Sequence, residues 1–293
     1  MGHVIRALPK GKNFRAFAVE CKDVVETVRR LQGLSPVATA ALGRALAGVA
    51  LLAADLKVGW VMLQINGGGP LGEVIAEGDA EGNLRGTVQN PSVTLPPKDK
   101  KLPVGLGVGK KGYISVIRDL GLKEVYQSSA ELVSGEIAED LAYYLTVSEQ
   151  VPSAVALGVL VDTDGKVLAA GGFLVQKLPE ATEEEVKELE KVLKSFPQVT
   201  SLLSKGLSPE EILKEVFGSI EMLEKREVRY KCSCSIEKVE RTLVALGKEE
   251  LSKLLDEGKD VEVVCHFCRQ KYTVTLPRIK ELLKEITKKE EEK

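Results

Sequence analysis

The sequence has few of the residues on which several common activities depend. Its 293 residues include only two histidines, His3 and His266, so a serine–histidine–aspartate catalytic set cannot readily be assembled. Lysine and arginine number 41 against 43 aspartates and glutamates, and the net charge is −2. A chain without a global excess of positive charge lacks the field that attracts nucleic acid or anionic lipid. We therefore expect neither a hydrolase nor a partnership with nucleic acid or membrane.

Two further absences concern location and nucleotides. The N-terminal residues 1–5 lack the apolar core of a signal peptide, which predicts a cytoplasmic protein whose thiols stay reduced. The glycine run Gly67–Gly69 has no following Lys-Ser/Thr and does not open a helix, so it indicates a turn rather than a phosphate-binding loop. We expect no nucleotide partner.

One long apolar stretch runs from Ser35 to about Leu56 and nearly reaches the length of a membrane span. Many alanines, the interior charge of Arg44, and two glycines, Gly43 and Gly48, favour close packing inside a protein instead. Ser35-Pro36 supplies an N-cap and a first-turn proline. The stretch is predicted to be a buried central helix.

Cysteine is scarce, and four of the five cysteines form two tight pairs. Cys232 and Cys234 form a Cys-x-Cys pair, and Cys265 and Cys268 form a Cys-x-x-Cys pair thirty residues later. Positions i and i+2 of an extended segment project to the same side, and a Cys-x-x-Cys turn curls its two sulfurs toward a common point, so each pair can offer two thiolates to one centre. Four soft sulfur donors are the ligand set of a closed tetrahedral zinc site. The spacing predicts one Zn²⁺ ion in the reduced protein.

Other interpretations of the pairs remain open at this point. They can be two independent structural or redox pairs without metal. The neighbours of the Cys-x-Cys pair can also oxidise to each other, so that the site is a structural clip in reducing conditions and an oxidant sensor otherwise. Cys21 belongs to no pair and is predicted to be a buried apolar residue. His266 is expected to point outward, because four cysteines already complete the ligand set.

Composition divides the chain near residue 178. Of the 27 glycines, 23 lie in residues 1–178, whereas residues 179–293 hold 47 charged residues in 115 positions. The pattern predicts an α+β protein with an N-terminal antiparallel-sheet core domain packed with helices (1–178), a helical linker (179–230) and a small C-terminal zinc-binding domain (231–293). Short amphipathic helices from Thr182 and Ser208 need another surface to cover. The last segment has few large apolar residues and is expected to depend on metal for its fold.

The cysteine pattern resembles that of the 33 kDa chaperonin family, the redox-regulated heat-shock chaperones. Three segments of the first part are also similar to that family: Leu84-Arg85-Gly86, residues 148–153 (Ser-Glu-Gln-Val-Pro-Ser) and residues 170–176 (Ala-Gly-Gly-Phe-Leu-Val-Gln). The resemblance covers essentially the whole chain, and the cysteine spacing is its most specific part.

The resemblance implies an ATP-independent holdase rather than an enzyme. In that family the reduced, zinc-bound form is inactive. Oxidation forms disulfides, releases zinc and unfolds the zinc domain and linker. The core then exposes apolar surface, forms homodimers and binds unfolding client proteins. Carried over to this chain, the disulfides would be Cys232–Cys234 and Cys265–Cys268.

Three alternatives compete with this interpretation. A structural zinc-ribbon protein that binds nucleic acid would need a basic surface, but residues 179–293 hold 22 basic against 25 acidic residues. A zinc hydrolase needs an open coordination position, which four thiolates close. A thiol oxidoreductase would place its Cys-x-x-Cys in a βαβ context, which the segment around Cys265 lacks.

Overall fold

The structure, a computed structural model, describes residues 2–98 and 101–291. The chain divides between Lys231 and Cys232 into two compact units. The elements of the first unit are, in chain order, β1 His3–Pro9, β2 Phe14–Glu20, α1 Lys22–Gln32, α2 Pro36–Ala53, β3 Trp60–Gly68, β4 Val74–Asp79, β5 Asn83–Val88, α3 Val104–Val108, β6 Gly109–Asp119, β7 Tyr126–Glu131, α4 Ala138–Val147, β8 Ser153–Val161, β9 Val167–Lys177, α5 Glu183–Lys194, α6 Val199–Ser204, α7 Pro209–Phe217, β10 Ile220–Glu227 and β11 Arg229–Tyr230.

Two sheets form the framework of the first unit. The five-stranded sheet has the order β10-β1-β2-β9-β8, with antiparallel neighbours throughout. The six-stranded sheet has the order β11-β5-β4-β3-β6-β7 and is antiparallel except for the short pairing of β11 with β5. These sheets and their helices confirm the predicted α+β class. The narrower division into a core at 1–178 and a linker at 179–230 stays a prediction.

Helix α2 lies in the main core and contacts both sheets. The side chain of Ser35 accepts the Ala38 N–H at 3.3 Å, and Pro36 occupies the first turn. The helix is long and apolar enough to cross a membrane, yet 89% of it is buried inside the protein. A Cβ atom on Gly43 would lie 2.6 Å from a methyl carbon of Val159, so the close approach of helix and strand requires glycine. The prediction of a buried helix is confirmed.

The outer face of the five-stranded sheet is covered by α6 and α7. Both helices bury apolar side chains against it, whereas α5 has no fully buried residue. The ring of Phe196, just after α5, meets Phe173 of β9 edge to face at 5.6 Å. The buried apolar residues of this second cluster are Ile5, Ala7, Phe14, Ala16, Ala18, Ala169, Phe173, Val175, Ala181, Val199, Leu202, Leu203, Ile212, Leu213 and Val216. The amphipathic helices therefore cover a sheet, as their sequence requires.

The segment predicted as a helical linker also contains a strand. β10 pairs antiparallel with β1, and Ile5 lies opposite Lys225. Five of its eight residues are charged, so the alternation of polar and apolar residues that normally indicates a strand is obscured. Its pairing partner lies more than 200 residues away in the sequence, which leaves no local signal. The strand fixes this segment to the first sheet at its C-terminal end.

A buried aspartate organises the turn before α4. Asp140 is fully buried, and its carboxylate accepts backbone N–H groups from four residues: Val133, Ser134, Gly135 and Ile137. The donors lie 2.8–3.3 Å from its oxygens. Because buried N–H groups need acceptors, this single carboxylate holds the turn together.

The second unit, described to residue 291, consists of α8 Ile236–Ala245, α9 Lys248–Asp256, β12 Val261–Val264, β13 Lys271–Val274 and α10 Leu276–Glu291. β12 and β13 form an antiparallel hairpin in which Val263 faces Tyr272. The last helix, α10, contacts α8 through Arg278, which binds the carboxylate of Glu240 at 2.8 and 2.9 Å. The buried apolar core of this unit is Val239, Leu243, Leu251, Val274 and Ile279.

Candidate metal centre

The first cysteine pair lies in an irregular segment between β11 and α8. Cys232 follows β11 by two residues, and Ser235 caps α8 by accepting the Lys238 N–H at 3.3 Å. Lys238 also donates its ammonium group to the Ser233 hydroxyl at 2.9 Å. The segment that carries Cys232 and Cys234 is thus fixed by the start of the helix that follows it.

The second pair lies in the turn of the β12–β13 hairpin. Cys265 donates its N–H to the Gln270 carbonyl at 2.9 Å, and its own carbonyl accepts the Arg269 N–H at 2.9 Å. Arg269 has a φ of 61°, a left-handed conformation that non-glycine residues seldom adopt. These two hydrogen bonds curl the chain so that Cys265 and Cys268 face one point.

The two pairs meet at a common centre. The Sγ atoms of Cys232 and Cys265 lie 3.7 Å apart, those of Cys234 and Cys268 lie 3.3 Å apart, and all four sulfurs lie within 4.8 Å of one another. Zinc–sulfur bonds of about 2.3 Å in a tetrahedron separate the sulfurs by about 3.8 Å. The sulfurs are too far apart for disulfide bonds, and all four are free thiols. Their number and spacing fit a metal ion.

Tyr272 is the residue of this site that the cysteine pattern alone does not reveal. Its hydroxyl group donates a hydrogen bond to Cys234 Sγ at 3.0 Å. The only sequence signal is its position in the strand directly after the second pair. Partial burial raises the pKa of Cys234, but the hydrogen bonds from Tyr272 and the other three cysteines outweigh it and lower that pKa to about 7. The same bond raises the pKa of Tyr272 to about 12.

Two of the other thiols shift in the opposite direction. Burial raises the pKa of Cys232 and that of Cys268. A divalent cation would overcome this penalty, because it deprotonates the thiols that coordinate it. All four sulfurs are therefore thiolate ligands at the same time only when a cation is bound.

The group of four sulfurs does not include His266, Cys21 or Lys231. His266 is exposed and does not belong to the group of residues that can hold a metal ion. Cys21 is fully buried in the main core, and burial raises the pKa of its thiol, so the prediction of a buried apolar role is confirmed. Lys231 is exposed, and its ammonium group lies 4.0 Å from the Glu81 carboxylate.

The fold and the site define a class: an α+β protein with a cysteine-lined metal-type centre in a small C-terminal unit. The family model described as "Hsp33 protein" matches residues 2–275. The 33 kDa chaperonin of Thermodesulfovibrio yellowstonii is 47% identical over 98% of this chain and 100% of its own length. That of Caldanaerobacter subterraneus subsp. tengcongensis is 46% identical over 97% of this chain and 98% of its own.

A solved structure agrees with these matches. The crystal structure of the 33 kDa chaperonin (heat shock protein 33 homolog) from Thermotoga maritima superposes with a TM-score of 0.88 at 40% identity, covering 98% of this chain and 99% of that one. The chain therefore belongs to the Hsp33 family. This is a family of chaperones rather than enzymes, and its partners are unfolded client proteins.

Proposed function

We propose that the chain is a redox-regulated, ATP-independent holdase. In the reduced state Cys232, Cys234, Cys265 and Cys268 bind one Zn²⁺ ion, and the protein is inactive. The observation that carries this proposal is the position of the second apolar cluster. Short helices cover an apolar sheet face, and only the strands β10 and β11 separate them in the chain from the four-cysteine centre.

Oxidation would convert each cysteine pair into a disulfide. The two thiolates of a pair would give two electrons to peroxide, which takes up two protons from solvent and is reduced to two waters. With its ligands bonded to each other, the metal would be released. We propose the pairs Cys232–Cys234 and Cys265–Cys268. Disulfides within the pairs do not connect the segment of Cys232 to the segment of Cys265. The small core of the second unit then loses the metal-centred cross-link that joined these segments. Disulfides between the pairs would instead keep the segments joined.

Loss of the second unit would free the C-terminal end of the segment that precedes it, and β10 would have to separate from β1 before the helices leave the sheet. β11 holds the chain to β5 through only two paired residues, and α5 buries no residue fully. Helices this short are marginal without a supporting surface. Their release would expose large apolar residues of the sheet, Ile5, Phe14 and Phe173 among them, and exposed patches of this kind bind other apolar chains.

Further parts of the proposal concern partners and location. We place the protein in the reducing cytoplasm, where the zinc form persists until an oxidant appears. The exposed surface would also pair two copies into a homodimer on activation. Neither nucleotide nor nucleic acid has a part in this cycle. A filter-binding titration against salt should therefore give only weak, non-specific retention of DNA or RNA.

The decisive experiment compares reduced, zinc-loaded protein with peroxide-treated protein in suppressing the aggregation of a chemically unfolded client. Zinc release is followed in the same samples with a chromogenic chelator, and peptide mapping identifies the disulfides. We expect suppression only after oxidation, with zinc released in parallel. Cys232→Ser should disrupt the centre, whereas Cys21→Ala serves as the control that retains it. Equal suppression by the reduced and oxidised forms would refute the switch.

A further inference from the structure

The two edges of the five-stranded sheet differ sharply in chemistry. β10, at one edge, has five charged residues among eight, and charge on an edge strand prevents pairing with other chains. β8, at the other edge, reads Ser-Ala-Val-Ala-Leu-Gly-Val-Leu-Val and has no charged residue and no proline. Such an apolar edge is a template for another strand unless its surroundings restrict access to it.

The ladder between β8 and β9 shows which backbone groups of β8 point outward. Lys177 donates its N–H to the Pro152 carbonyl at 3.0 Å, and Ala154 lies opposite Val175. Because hydrogen-bonded and non-hydrogen-bonded pairs alternate in an antiparallel ladder, Ala154 and Ala156 bond to β9. The intervening residues Val155, Leu157 and Val159 therefore direct their N–H and C=O groups away from the sheet.

This edge lies along a groove of about 970 Å³. The described residues that line it include Lys98, Lys101 and Leu106 on one wall and Leu193 and Phe196 on the other. A second copy carries its own β8 in the same recess, so two such edges cannot approach within the roughly 4.8 Å that strand pairing requires. The recess admits a single extended chain instead.

The charged residues that line the groove indicate which kind of extended chain would bind there. Its lining contains three cationic side chains, Arg44, Lys98 and Lys101, and two acidic ones, Glu136 and Glu139. Arg44 is already bonded to Glu136, so the remaining charge is positive. An extended segment with apolar side chains and an acidic residue complements such a lining.

We propose that β8 captures an extended, apolar client segment bearing an acidic residue, which adds to the sheet as a sixth strand. Main-chain hydrogen bonds to Val155, Leu157 and Val159 provide the affinity, which makes capture tolerant of client sequence. The identity of the occupant as a client rests on the holdase function proposed above. One groove wall lies in the segment 179–230, so release of that segment would open the recess to longer chains.

The test uses the full-length protein, both reduced and peroxide-oxidised, and a fluorescently labelled, end-blocked heptapeptide of alternating valine and threonine with one aspartate. Binding is measured by anisotropy, and backbone amide exchange is measured by NMR with and without peptide. We expect binding in at least one redox form, with slowed exchange at Val155, Leu157 and Val159 and unchanged exchange along β10. A peptide N-methylated at every residue should not bind, and replacing aspartate by lysine should weaken binding.

Val155→Pro removes one outward N–H without breaking a bond to β9, so an edge strand tolerates it. We expect it to weaken peptide binding about tenfold, whereas Val155→Ala, which retains the N–H, should bind nearly as the parent does. Thermal unfolding verifies that both variants are folded. If Val155→Pro does not fold, the exchange pattern of the parent protein decides the proposal. Edge capture would be overturned by unchanged exchange at the three amides in both redox forms, or by a dimer in sedimentation that Val155→Pro abolishes.

The two proposals fail in different ways. If oxidised protein suppresses client aggregation while the β8 amides are unaffected by peptide, edge capture is wrong and the holdase function stands. If the amides are protected but neither redox form suppresses aggregation, edge capture stands and the holdase function is wrong.

Discussion

The Tyr272 hydroxyl offers a sharp test of the metal centre, because a single atom can be removed from beside it. Tyr272→Phe deletes the hydrogen bond to Cys234 Sγ, which measures 3.0 Å, and leaves all four sulfurs in place. A hydrogen bond to a charged acceptor contributes about 1.5–3 kcal/mol. The site is only partly buried, and water can replace part of the bond, so the lower value of about 1.5 kcal/mol applies.

A loss of about 1.5 kcal/mol corresponds to a roughly tenfold weaker affinity for zinc, within the range for residues that orient metal ligands. Zinc release by peroxide should also be faster, because the Cys234 sulfur then keeps more of its negative charge. Competition with a chromogenic chelator measures the affinity, and stopped-flow mixing with peroxide measures the rate. Tyr113→Phe, which removes a hydroxyl from an exposed tyrosine of β6, is the matched control. Equal affinity and equal release rates in both variants would refute the role of Tyr272.

Four further predictions concern stability and regulation. Chelation of the metal should expose residues 232–293 to protease while residues 1–178 stay resistant, as judged by limited proteolysis. Asp140→Ala should lower the free energy of unfolding by about 3–5 kcal/mol by leaving buried N–H groups without an acceptor, and Asp140→Asn should lose less in denaturant titrations. Ile212→Ala should weaken the packing of α7 by about 2–4 kcal/mol and give reduced protein partial holdase activity in the aggregation assay. The hydrogen bond from Arg29 lowers the pKa of Glu26 from 4.5 to about 2, so its stabilisation is full above about pH 5 and is lost as pH falls through about 2. In denaturant titrations, Glu26→Gln should reduce that acid decline in the free energy of unfolding by about 1–2 kcal/mol. Unchanged proteolysis, unfolding curves, activity or acid profiles would contradict the respective predictions.

Much of the fold was predictable because its signals are local. The N-cap and proline before α2, the unbroken run of small apolar residues within it, and the paired cysteines each act over a few positions. The spacing of the cysteines indicated that four sulfurs can share one centre, since each pair needs only its own turn geometry. The identity of the metal and the pairing in disulfides are not contained in that spacing and stay predictions.

What could not be predicted depends on distant partners. The strand character of β10 comes from pairing with β1 at the opposite end of the sequence, and its charges conceal any alternation. Tyr272 reaches Cys234 only because the hairpin places β13 beside the first cysteine pair. The contrast between the edges of the five-stranded sheet likewise emerges only when the strand order is known.

The burial of Cys21 makes the reactivity of its thiol a measure of whether the main core stays closed. Thiol reagents should label four cysteines in the folded, metal-free protein and a fifth only after the larger unit opens, because a thiol with a raised pKa and no contact with solvent is inert. After oxidation, which places those four cysteines in disulfides, a count of zero labelled thiols would mean that the hydrophobic interior persists, whereas a count of one would report its collapse. The chain thus carries its own means of distinguishing a regulated opening from denaturation.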